Sequence, residues 1–142
     1  MKILIDTNII LDVLLKREPH YKHSQLVLLA TEKQYIHGYV SASAITDIFY
    51  VTYKALKSKA KTYTLLKNLV DTITVAAVDC DVISGALELD WDDFEDCVQY
   101  LVGESVEVDY IVTRNPGDFI NGDIKTISPE TLLNLIAPEQ RN

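Results

Sequence analysis

The chain has 142 residues, 48% of them apolar, enough for one domain with a substantial core. Its 13 Lys/Arg against 21 Asp/Glu leave a formal net charge of −8, which argues against a general nucleic-acid coat protein or a basic membrane-surface binder. No apolar run approaches the roughly 18 to 20 residues that span a bilayer, and Met1-Lys2-Ile3-Leu4-Ile5-Asp6 lacks the long apolar stretch of a secretory signal, so no membrane partner and a cytoplasmic location are expected. Cys80 and Cys97 are too few for a disulfide scaffold and read as buried or half-buried thiols in a reducing compartment.

With no internal repeat, low-complexity tract or Gly/Ser-rich linker, residues 1–142 are expected to form a single domain. Lys2 to Asp6 is a short apolar run ending in an acid, the pattern of a buried strand. Asn8 to Lys16 has helical periodicity and is closed by Arg17-Glu18-Pro19; Tyr21 to Lys33 reads as a second helix. His37 to Ser41 reads as a strand, and Ser43 is the expected cap of a helix whose apolar stripe is Ile45, Ile48, Phe49, Thr52 and Leu56. Lys61 to Leu69 continues as helix, and Ile73 to Val78 is β-branched and strand-like. Val82 to Leu89 and Asp92 to Val102 read as helices, Tyr110 to Thr113 as a strand, and Ile124 to Ile127 as a short edge strand. Pro129 suits the first turn of a last helix. Strands alternating with helices predict an α/β fold, a three-layer α/β/α sandwich around a central parallel sheet. In such folds the site lies beyond the carboxyl ends of the strands.

The charge is segregated. Residues 1–78 carry 10 Lys/Arg and 6 Asp/Glu, whereas residues 79–123 carry one cation, Arg114, and 13 acids. Apolar residues interleave with those acids, which argues against disorder, and packed carboxylates repel one another unless they share protons or bind a cation. Asp6 ends the first strand, although Asp6 or Asn8 also suits a helix cap. Asp47 interrupts an apolar helix, where it is either solvated on the polar side or paired. Asp92-Asp93-Phe94-Glu95-Asp96 is the densest acidic cluster; acids in a first helical turn are common, but Asp96 comes a turn in, before Cys97-Val98. Asn115-Pro116-Gly117 is a turn signature, yet Asn115 and Asp118 directly follow a strand and carry oxygen donors. A parallel sheet brings such segments to one edge. Hard oxygen ligands suit Mg²⁺ or Mn²⁺, an arrangement that serves phosphodiester chemistry.

Four blocks in order, Ile5-Asp6-Thr7-Asn8, Ser41-Ala42-Ser43-Ala44-Ile45-Thr46-Asp47-Ile48, Asp93-Phe94-Glu95-Asp96-Cys97-Val98-Gln99 and Val112-Thr113-Arg114-Asn115-Pro116-Gly117-Asp118-Phe119, resemble a PIN domain from Lys2 to about Ile136. The resemblance implies a Mg²⁺/Mn²⁺-dependent ribonuclease, similar among single-domain bacterial members to the VapC-type toxins of type II toxin–antitoxin pairs. By position, it implies metal-binding roles for Asp6, for Asp47 where Glu is commoner, for Asp96, and for Asn115 near a position that is often Asp. Asp118 belongs to the adjoining Asp-Phe pair, with Asn8 and Thr113 as supporting polar residues. The shorter Asp47 and the neutral Asn115 favour one-metal over two-metal catalysis. They also motivate an alternative, a catalytically weakened PIN module that binds RNA or a protein without cleavage.

Other chemistries fit less well. Asn8 stands where haloacid-dehalogenase-like phosphatases need a second Asp, and neither a Gly-x4-Gly-Lys-Ser/Thr nor a Gly-x-Gly-x-x-Gly loop is present. Cys97 has no recognisable His partner motif, and His20 and His23 suit a polar helix surface. Trp91 and the 8 tyrosines are most simply core and rim residues. Lys54, Lys57, Lys59, Lys61 and Lys67 form the one basic concentration, and Lys54, Lys57 and Lys61 share a face if one helix runs that far; this is either a solvated face or a phosphate-tracking patch for an RNA substrate. The Asn8–Lys16 and Tyr21–Leu29 regions are apolar enough to leave a groove. In toxins of the resembling kind such a groove implies a seat for a small antitoxin protein, and a homodimer is usual.

Overall fold

The computed structural model describes residues 1–140, so the last two residues of the expected 1–142 domain lie outside it. Helix-bearing connections link four strands, β1 (Lys2–Ile5), β2 (His37–Ser41), β3 (Thr74–Ala76) and β4 (Tyr110–Val112), and a two-residue β5 (Thr126–Ile127) follows. All pair in parallel, in the order β3-β2-β1-β4-β5. Strands covered on both faces must be apolar almost throughout, as Lys2-Ile3-Leu4-Ile5 is. Successive side chains then feed opposite cores. Ile3 and Ile5 join Ile9, Ile10, Val27, Ile48, Leu132 and Ile136 on one side of the sheet. Leu4 and Ile111 join Val82, Ala86, Val98, Val102 and Phe119 on the other.

The helices are α1 (Thr7–Leu14), α2 (Tyr21–Glu32), α3 (Ala42–Leu56), α4 (Lys59–Thr72), α5 (Cys80–Leu89), α6 (Phe94–Ser105) and α7 (Pro129–Gln140), with a 3-10 turn at Pro116–Phe119. The predicted α/β/α layering is the observed one. Local chemistry moves several boundaries. Ser41, not Ser43, caps α3: its hydroxyl accepts from the Ser43 amide at 3.3 Å, so the strand runs straight into the helix. The basic helix does not continue through residue 57. Lys57 takes a left-handed conformation that closes α3, and Ser58 caps α4 by accepting from the Lys61 amide at 3.2 Å. Lys61 therefore sits on a different helix from Lys54. The acids at residues 92–93 precede α6 rather than opening it, because Asp93 is its cap. The expectation of buried or half-buried thiols is met at Cys97 but not at Cys80, which is exposed at the start of α5. No helix among the described residues is long and apolar enough to cross a membrane.

The chain runs outward from β1 to β2 to β3, then returns to place β4 on the other side of β1. That reversal opens a crevice at the carboxyl ends of β1 and β4. It sets where polar side chains gain the most from the fold.

Candidate active site

Asp6 follows β1 at this crevice. Its amide still belongs to the sheet, donating to the Val112 carbonyl of β4 at 3.0 Å. It stands at the cap position of α1, yet its side chain makes no capping hydrogen bond. Instead the Thr113 hydroxyl, just past β4, donates to Asp6 Oδ2 at 2.9 Å, and both residues are buried. Burial pushes the Asp6 carboxyl above the usual carboxylate range, against the opposing pull of the Thr113 hydroxyl and the Thr7 amide; Asp118 adds a smaller upward push. The same Thr113 oxygen accepts from the Asn115 amide at 3.0 Å, so one hydroxyl ties the β1 acid to the loop after β4.

Asp96 comes from the first turn of α6, its amide held by the Asp93 carboxylate at 2.9 Å. It is half-buried, and its pKa is raised to about 7 by burial and then by the charges of Asp93, Asp118 and Asp6. Asp6, Asp96 and Asp118 thus share one electrostatic field, although they come from three separate segments. Asp47, half-buried on α3, meets a different partner, Glu95. Burial, a hydrogen bond to Asp47 and the charges of Asp47, Asp93 and Asp96 raise the Glu95 pKa to about 8. Two linked subgroups result: Asp6, Asp96 and Asp118 toward the β1–β4 crevice, and Asp47 with Glu95 between α3 and α6. Asn115 and Asp118 are exposed; the Asn115 backbone is fixed by Thr113, and its side chain faces solvent. Asn8 is half-buried on α1. Among the described residues, no group of three or more His, Cys, Asp or Glu side chains is arranged to hold a metal ion.

Four residues at or beside the site were not singled out from the sequence. Glu95, read there as a helix-dipole acid, faces Asp47. Gln99, one turn beyond Asp96 on α6, is buried with its carbonyl oxygen unpartnered, as is the Thr7 hydroxyl beside Asp6. Asp12, fully buried on α1, receives Arg114 in a two-pronged ion pair at 2.8 and 3.1 Å. Asp12 in Asn8-Ile9-Ile10-Leu11-Asp12 lies four residues from Asn8, and a lone acid inside an apolar helix was the available signal.

A family model described as PIN domain matches residues 2–116. The chain belongs to the PIN domain family. Ribonuclease VapC1 of Aquifex aeolicus is similar to this PIN domain, 26% identical over 137 residues that cover 91% of each chain. Among solved structures, VapBC2 from Rickettsia felis, bound to a DNA fragment from their promoter, has a TM-score of 0.67 at 16% identity, covering 90% of this chain and 98% of that one. Mycobacterium tuberculosis VapC20, a Sarcin-Ricin loop cleaving toxin, has a TM-score of 0.63 at 13% identity, covering 77% and 86%. At those identities the structural likeness shows the shared PIN fold. The groove expected from the Asn8–Lys16 and Tyr21–Leu29 regions is present in part, with α4 rather than most of α1 as its second wall, because Ile9, Ile10 and Leu11 of α1 are buried in the core. The groove of about 380 Å³ runs between α2 and α4, lined by Leu26, Leu28, Leu29, Leu65 and Leu69, with Leu14 as the contribution of α1.

Proposed function

We propose that the protein is a divalent-metal-dependent endoribonuclease, the toxin of a type II toxin–antitoxin pair, acting in the cytoplasm as a single domain over residues 1–142. The observation that carries this reading is the carboxylate field at the β1–β4 crevice, where, beyond the effect of burial, the Asp118 charge pushes the pKa values of both Asp6 and Asp96 up and Asp6 pushes that of Asp96 up as well. Such repulsion is relieved by a shared cation, and an all-oxygen donor set fits Mg²⁺ or Mn²⁺. Asp6, Asp47, Asp96 and Asn115 would hold the ion. When bound, the ion supplies positive charge for the phosphate and leaving oxygen and lowers the pKa of water.

The residues of the chain do the rest. Thr113 fixes the Asp6 carboxylate and, through the Asn115 amide, the loop that carries Asn115 and Asp118. Asn115 or Asp118 positions water for in-line attack on phosphorus; the water gives up a proton to solvent as its oxygen bonds to phosphorus, the opposite phosphorus–oxygen bond breaks, and the departing oxygen takes up a proton. Glu95, protonated near neutral pH, keeps Asp47 from facing a second full charge. Similarity to a protein named as a ribonuclease and to a toxin that cleaves the Sarcin-Ricin loop supports RNA as substrate. The leucine-lined α2–α4 groove, and a structural relative solved as VapBC2, support a small antitoxin as partner; a homodimer is part of the same reading.

Asp6→Asn and Asp96→Asn are expected to abolish cleavage of RNA while leaving the melting transition intact, and excess EDTA should silence the native protein. Full cleavage under any of these conditions overturns the mechanism. One observation favours a second reading, a module that binds RNA or protein without cutting: no three ligands stand ready as a group among the described residues. Calorimetric titration separates the two, since a saturable Mn²⁺ site at millimolar concentration supports the nuclease and its absence supports the binding module.

A further inference from the structure

The α3–α4 hairpin carries charge opposite to that of the rest of the molecule. From Ile48 to Val70 there are 5 lysines and no acid, in a chain of net charge −8. The same hairpin leaves three tyrosines in solvent: Tyr50 is 75% exposed, Tyr53 46% and Tyr63 47%. Burying a tyrosine ring is strongly favourable, so three exposed rings on one hairpin are an uncommon expense of apolar surface. They are also organised. Half-buried Phe49 stacks on Tyr53 with ring centres 6.3 Å apart and meets Tyr63 edge-on at 5.0 Å, and the Lys59 ammonium lies 5.9 Å from the Tyr63 ring centre. Phe49 thus braces Tyr53 and Tyr63 from beneath, and a cation accompanies the outer ring.

The surface leads to the acids. Asp47, Tyr50 and Lys54 stand at i, i+3 and i+7 of α3, on one helical face, about 10 Å from end to end. Lys57 closes that helix, and Lys59 opens the next.

The geometry points to this face as a docking track for single-stranded RNA: Tyr50, Tyr53 and Tyr63 stack on bases, while Lys54, Lys57 and Lys59 hold phosphates of the strand whose next nucleotides reach Asp47. The choice of RNA rests on the ribonuclease reading. The choice of a single strand rests on the rings, since base faces are open to side chains only when unpaired. Positive charge among bare aromatic rings complements a polyanion with π faces. A second copy of this acidic chain would match the charge alone.

The test is fluorescence anisotropy of a labelled, unstructured RNA oligonucleotide with the full chain in EDTA, where the strand is not cut. Tyr50→Ala, at a position that contributes little to packing, is expected to weaken binding at least fivefold. Lys57→Ala is expected to weaken it and to reduce the slope of log affinity against log salt by roughly 0.7, the share of one phosphate contact on a single strand. A duplex RNA of the same length should bind more weakly than the single strand. The proposal falls if the native chain does not bind the oligonucleotide. It falls equally if both variants bind it as the native chain does, or if light scattering shows that they only break a dimer. A chain that binds through these residues but never cuts RNA in Mn²⁺ leaves the track standing and removes the nuclease reading; a chain that cuts RNA equally well with and without them does the reverse.

Discussion

Thr113 has more influence than its size suggests. Its hydroxyl hydrogen goes to Asp6 and its lone pair receives the Asn115 amide, so the carboxylate of β1 and the loop after β4 are referenced to one atom. Valine has the same shape and neither capacity. Thr113→Val should therefore leave the fold in place, push the Asp6 pKa further up, and lower RNA cleavage by roughly 10- to 100-fold, the usual effect of losing a group that orients a ligand. Because the lost hydrogen bond favoured the charged carboxylate, the rising limb of the pH–rate profile should move to higher pH; an unmoved limb with reduced rate would assign Thr113 to packing alone. Threonine after a strand is visible in the sequence as a polar stop, but its two hydrogen-bond partners are 107 and 2 residues away. Only the pairing of β1 with β4 reveals the first.

Among the elements, α1 and the loop after β4 are joined by the Asp12–Arg114 pair across 102 residues. Asp12 is fully buried, and Ser24 of α2 adds a long hydrogen bond at 3.4 Å. Arg114→Ala would strand that carboxylate without a counter-charge, and removal of one member of a buried pair costs about 3 kcal/mol or more. Urea unfolding should show the loss, and Arg114→Lys should recover only part of it, because an ammonium cannot reproduce the two-pronged geometry. Element types were readable in the sequence because Ile3-Leu4-Ile5 and Tyr110-Ile111-Val112 are unbroken apolar runs, and α3 has a buried stripe through Ala44, Ile48 and Thr52. The end of α3 was not readable. Lys57-Ser58-Lys59 holds no glycine or proline, and the break depends on a left-handed lysine and a serine cap. For the site, strand-end position identified Asp6, whereas Glu95 looked like an ordinary helix-start acid until packing of α6 against α3 set it beside Asp47.

At the scale of the molecule, the collected carboxylates make stability a function of pH. The folded chain keeps protons on Asp96 up to about pH 7 and on Glu95 up to about pH 8, whereas the unfolded chain releases them near 3.8 and 4.5. Between those limits the folded state binds more protons, so stability falls as pH rises. The contribution is complete below about pH 4 and lost once pH passes about 8. In EDTA the melting temperature should drop steadily from pH 5 to pH 9, and millimolar Mn²⁺ should flatten that decline by compensating the ionised acids; a metal-free melting curve independent of pH would contradict the crowding of these groups. Arg114 bears on the same balance. It is the one cation in residues 79–123, and two of its guanidinium nitrogens donate to the Asp12 carboxylate. The Arg114 charge reaches Asp6 only as the weakest of the influences on that carboxyl, so the acids at the crevice draw most of their counter-charge from the surrounding electrolyte. On the proposed reading the dissolved divalent pool supplies that counter-charge, so the output of an intact polypeptide follows free Mg²⁺ or Mn²⁺ with neither synthesis nor destruction of a molecule.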